Sequence, residues 1–86
     1  MEISRADALK EVARILDDLT GAVARVDEEN FIGCVIACDK LRSEACGGVD
    51  VISRLGLISV DDRVDAIEKI GKILSVKYAE FVVSHK

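Results

Sequence analysis

The sequence predicts an all-α protein, an up-down-up antiparallel three-helix bundle, and three observations carry that prediction. Aliphatic residues recur every three or four positions along three long runs, the spacing that gathers side chains on one face of an α-helix. Short polar or glycine-marked segments separate the runs, and connections of only a few residues force neighbouring helices to run antiparallel. Proline is absent, and neither β-branched alternation nor a repeat of roughly 20 to 50 residues competes with the helical reading. The expected helices cover about 3–26, 28–55 and 60–84 of a single domain spanning 1–86.

In the first run, Leu9, Val12, Leu16, Leu19, Val23 and Val26 form one stripe, which Ala6, Ala13 and Ile15 widen. Asp7, Lys10, Glu11, Arg14, Asp17 and Asp18 occupy the opposite, solvated face, with Arg14 and Asp18 spaced for an i,i+4 ion pair. Gly21 interrupts the run, yet the stripe continues in phase beyond it, so the helix is expected to pass through at a loss of about 1 kcal/mol relative to alanine. Asp27-Glu28-Glu29-Asn30 is the first punctuation, with Asp27 as the expected N-cap and the two glutamates in the first turn, where they suit the helix dipole.

The second run is the longest: Phe31, Cys34, Cys38, Leu41, Ala45, Gly48, Ile52 and Leu55 keep phase throughout. It crosses Gly47-Gly48, and an unbroken phase across two glycines points to a neighbouring helix that approaches closely. Gly56 is the expected residue just past this helix, and Ser59 the N-cap of the third, with Asp62 three residues on as in a capping box. The third stripe reads Val60, Val64, Ile67, Gly71, Leu74, Tyr78, Phe81 and His85, broadened by Ile70, Ile73, Val82 and Val83, with acidic residues toward its start and lysines toward its end.

Composition excludes several classes. A formal charge of -4 and a pI near 4.9 have the wrong sign for a domain that neutralises phosphates, so nucleic acid is not an expected partner. The apolar runs are too short to span a membrane, and early charges such as Arg5 and Asp7 break any signal-peptide core, which makes the cytoplasm the expected address. Three cysteines cannot all pair within one chain, so free thiols are expected. With no Gln, one Asn and abundant charge, the composition leans toward a thermophilic source.

Two constellations have the residue types of a metal site. Cys34 and Cys38 lie one helical turn apart and present two soft ligands, although Cys46 and His85 are too far along the chain to complete a tetrahedral set. Asp61, Asp65 and Glu68 share a helix face and present carboxylates suited to Mg²⁺. Packing is the favoured explanation of the cysteines, and dipole-complementing surface charge that of the acids. No catalytic residue and no cofactor is singled out.

The stretch from Asn30-Phe31 through Val49-Asp50-Val51-Ile52-Ser53 to Arg54-Leu55-Gly56-Leu57-Ile58 resembles the small archaeal helical proteins grouped as domain-of-unknown-function family 357. The resemblance covers about a third of the chain. It implies an archaeal three-helix bundle of uncharacterised role and supplies no site residue.

The remaining signal is surplus hydrophobicity. Ile36, Val51, Ile58, Ile73, Val76 and Val83 fall partly off the main stripes, and size scaling allows a chain of this mass to bury only about 60% of its surface. The expectation is a non-catalytic module that packs against a second copy or another protein, with Ile73, Val76 and Val83 at the homodimer interface. The rival expectation is a metal-dependent enzyme or a metal or redox sensor built on Cys34 and Cys38 or on the Asp61, Asp65 and Glu68 face.

Overall fold

The computed structural model describes residues 3–84, which form three helices: α1 (Arg5–Ala24), α2 (Phe31–Arg54) and α3 (Val60–Ser84). Each helix packs against both others, as expected for the bundle. The predicted stripe residue His85 lies outside the described residues.

Local chemistry sets each boundary. Ser4 caps α1, its hydroxyl accepting from the Asp7 N–H at 3.1 Å, and the helix runs through Gly21 to Ala24. The start of α2 differs from expectation. Asn30, not Asp27, is the cap, and its side-chain oxygen accepts from the Gly33 N–H at 2.7 Å. Asp27, Glu28 and Glu29 therefore belong to the connection, and α2 starts three residues later than predicted. Asn and Asp cap almost equally well, so capping propensity does not separate the two positions; starting at Phe31 sets that ring against the end of α3.

At its C-terminus, α2 closes in a Schellman motif. Gly56 adopts φ 74°, its N–H donates to the Ser53 carbonyl, and the Leu57 N–H reaches the Ile52 carbonyl. The capping box that follows forms as expected: the Asp62 N–H donates to the Ser59 hydroxyl, and the Ser59 N–H donates to the Asp62 carboxylate, both at 3.0 Å.

Cross-links between helices fix the up-down-up order. Arg5 at the start of α1 grips Asp62 at the start of α3 through two hydrogen bonds of 2.9 and 2.7 Å, so these helices begin at one end of the molecule. Asp50, late in α2, pairs with Arg63, early in α3, at 2.8 Å. At the other end Phe31 meets Tyr78 and Phe81 at ring-centroid distances of 5.9 and 5.8 Å. The result is a rod of 50 × 20 × 16 Å.

The core is built from small and medium side chains: Val12, Leu19 and Val23 of α1, Cys34, Cys38, Ala45 and Val49 of α2, and Ala66, Ile70 and Leu74 of α3. In α1 the predicted stripe is the packed one, although Ala6 and Ala13 are exposed and Ala8 is buried in their place. In α3 the packed line follows the predicted one only in part. Ile67, Leu74, Tyr78 and Phe81 of the stripe and the flanking Ile70 and Ile73 pack on the core as expected, but Val60, Val64 and Gly71 are exposed, as are the flanking Val82 and Val83, and Ala66 faces inward. The buried line of α3 points between α1 and α2, which brings Ala66 inward and leaves Val64 on the outside. The two ends of the predicted α2 stripe, Phe31 and Leu55, are also exposed, and Val49 is fully buried. The expected close approach at the glycine pair involves Gly48 alone: a Cβ there would stand 3.0 Å from the Ile15 Cδ1, whereas nothing lies within 4 Å of one at Gly47.

Candidate interaction face between α1 and α3

Cys34 and Cys38 occupy the centre of the bundle with no exposed surface. Burial raises the Cys38 pKa, and the neighbouring Cys34 raises it further, so this thiol stays protonated at neutral pH. That is the chemistry of packing. Cys46 is partly exposed, in a groove of about 310 Å³ whose wall includes the paired Asp50 and Arg63.

Asp61, Asp65 and Glu68 lie in the exposed first half of α3, and Asp65 is bound to Lys69 at 2.9 Å. Asp62 is turned away from them to hold Arg5 and the Ser59 N–H, and these contacts hold its carboxyl well below the usual range. Among the described residues, no three of His, Cys, Asp and Glu come together in a way that could hold a metal ion.

The residues expected at an interface divide. Val76 and Val83 are 58% and 69% exposed on the outer side of α3, as expected. Ile73 is not: it is half-buried and packs on the core, because its position lies on the edge of α3 that turns toward α1. Ile58, also counted as surplus, is buried within the connection between α2 and α3. Ile36 and Val51 are exposed.

Val76 is part of a larger feature. A shallow groove of about 260 Å³ runs between α1 and α3, with Thr20 and Ala24 on one side and Ile73, Val76 and Glu80 on the other. Lys77 stands beside it, but its ammonium donates to the Val26 carbonyl at 2.9 Å and so ties the first connection to α3. The groove floor is aliphatic, its rim carries one acid, and nothing in it resembles a nucleophile activated by a base. Such a surface can bind an apolar helix face with a positive charge beside it.

The contribution of α1 was missed at the sequence level. Thr20 and Ala24 sit one turn apart, and the Thr20 hydroxyl donates back to the Leu16 carbonyl at 2.9 Å, leaving its methyl group as the remaining surface. Two small residues at i,i+4 beside the apolar stripe are the available signal for such a groove.

Among the described residues, no helix is long and apolar enough to cross a membrane. No family model, no curated protein and no solved structure matches the chain.

Proposed function

We propose that this chain is a non-catalytic interaction module that associates, with itself or with another protein, through the outer face of α3. The observation that carries this reading is the surface left over after folding. The chain exposes 5922 Å², against about 5,000 Å² for a compact monomer of its mass. The excess, roughly 900 Å², is close to the ~800 Å² that each partner buries in a standard interface. Val76 and Val83 are two of the large aliphatic residues left exposed, both on the outer face of α3, and each valine covered on association contributes roughly 1.5 to 3 kcal/mol.

The free thiols of Cys34, Cys38 and Cys46 suit a reducing compartment such as the cytoplasm, and the scarcity of Asn and Gln suits a thermophilic source. The resemblance carried by Arg54-Leu55-Gly56-Leu57 is compatible with a bundle that has no catalytic apparatus.

The test is mass in solution. Replacing Val76 and Val83 together with Lys is expected to lower both the mass and the thermal midpoint, the latter in a concentration-dependent way. A wild-type mass of about 9 kDa from micromolar to millimolar protein removes self-association and leaves a different protein as the partner. Stoichiometric zinc in the purified protein, bound through Cys34 and Cys38, would overturn the reading in favour of metal chemistry.

A further inference from the structure

We infer that the partner covering this face is a second copy of the chain, held in a two-fold contact in which the two α3 helices run antiparallel and cross at Val76, with Lys72 of each copy facing Glu80 of the other. The inference rests on the reading of the chain as a self-associating module and commits that module to a geometry.

The geometry follows from spacing and charge. Lys72, Val76 and Glu80 stand at i, i+4 and i+8, so they share one face of α3 with the valine in the middle. A two-fold axis through Val76, perpendicular to the helix, exchanges positions 72 and 80. It therefore sets each Lys72 against a Glu80 of the other copy and does so twice per dimer. A parallel pairing about the same residue would set lysine on lysine and glutamate on glutamate. Opposite charges thus select the antiparallel arrangement, which matters for two copies that each carry a net charge of -4.

Both charges are available for this role. Lys72 and Glu80 are exposed, and neither makes an ion pair or side-chain hydrogen bond with the described residues. Lys69, on the same helix, is engaged with Asp65. Glu80 also forms part of the rim of the α1–α3 groove, so an incoming Lys72 ammonium meets the groove at its one acidic position. The same axis lays Val83 over position 69, where the aliphatic stem of Lys69 covers it while the ammonium stays in water. Ala79, small and exposed, opposes Ile73 and lets the helices come close.

A charge-reversal cycle on the full chain tests the pairing, with sedimentation giving the dimer dissociation constant. Lys72→Glu and Glu80→Lys singly are each expected to weaken the dimer about tenfold, since each turns two attractive contacts into two repulsive ones. The double variant Lys72→Glu/Glu80→Lys is expected to return within about threefold of wild type. Under oxidised glutathione, Val76→Cys is expected to give a disulfide-linked dimer because the axis residue faces itself; Val83→Cys and the wild type are expected to give none. A chain that dimerises but is indifferent to the single reversals, or that cross-links through position 83 and not 76, overturns the pairing and leaves self-association standing. A wild type that is monomeric at millimolar concentration overturns both. Unchanged melting of the single variants at high dilution, where only monomer is present, separates loss of association from loss of folding.

Discussion

The two ends of the bundle are joined by different chemistry. Where α1 and α3 begin, the links are ionic and directional: Arg5 chelated by Asp62, Asp62 locked into the Ser59 capping box, and Asp50 bound to Arg63. Where α2 begins and α3 ends, Phe31 meets Tyr78 and Phe81, and Lys77 reaches the Val26 carbonyl. Ion pairs whose cation stays in water, as Arg5 does, contribute modest net free energy because water competes for the guanidinium, whereas aromatic contacts add about 0.5 to 1.5 kcal/mol beyond the area they bury. The ionic end therefore specifies which helix starts beside which, and the aromatic end supplies more of the stability. The aromatic end also leaves Ile32, Val82 and Val83 exposed.

The largest test of that contrast is Phe81→Ala. The ring is half-buried against the core and tilted on Phe31, so its removal is expected to cost about 2 to 3 kcal/mol in chemical denaturation. A loss no greater than that from breaking the Arg5–Asp62 pair would invert the ranking of the two ends.

The second test uses pH, to which the ionic end alone should respond strongly in the acid range. Hydrogen bonds from Arg5 and from the Ser59 N–H lower the Asp62 pKa on folding. A group whose pKa falls on folding stabilises the protein above its unfolded value and loses that contribution as pH drops through the folded value. The unfolded value is about 4, so wild-type stability is expected to fall progressively below roughly pH 4. Asp62→Asn is expected to be less stable at neutral pH and to show a shallower acid limb. Glu11, lowered by Arg14, titrates in the same direction and accounts for part of the slope that remains. An acid limb unchanged by Asp62→Asn would show that the clamp does not couple to folding.

The same contrast explains how much the sequence revealed. Directional devices are local, so Gly56, the Ser59–Asp62 box and the Arg14–Asp18 pair are all legible from spacing. Asn30 displaced Asp27 because two competent caps lie three residues apart and only a tertiary contact, that of Phe31, separates them. The face that α3 buries is legible only in part for a similar reason: Ile67, Ile70, Leu74, Tyr78 and Phe81 pack on the core as their spacing predicts, whereas Val60 and Val64 do not. Periodicity identifies a helix with an apolar side, but which edge of that side is buried depends on where both neighbours pack, and in α3 Ala66 is buried while Val64 is exposed. Arg5–Asp62 links residues 57 positions apart and leaves no trace in any window of the sequence. The groove shared by Thr20, Ala24 and Val76 was illegible on the same ground, since its two walls come from opposite halves of the chain.

The smallest expected effect concerns Gly47 and Gly48, which lie in the part of α2 nearer the ionic end and test whether close packing also acts there. Both residues are inside the helix, and replacing glycine with alanine at such a position is worth about 0.5 to 1 kcal/mol through backbone entropy alone. Gly47→Ala should realise that gain in full, because its new methyl group meets nothing within 4 Å. At Gly48 the methyl group would stand 3.0 Å from the Ile15 Cδ1, so α1 must yield by a few tenths of an ångström. Gly48→Ala should therefore be less stable than Gly47→Ala by urea denaturation, and the gap between them measures how firmly Ile15 is held. Equal stabilities would mean that the Ile15 methyl moves aside freely, in which case α1 is positioned at this end by its ion pair with α3 and not by contact with α2.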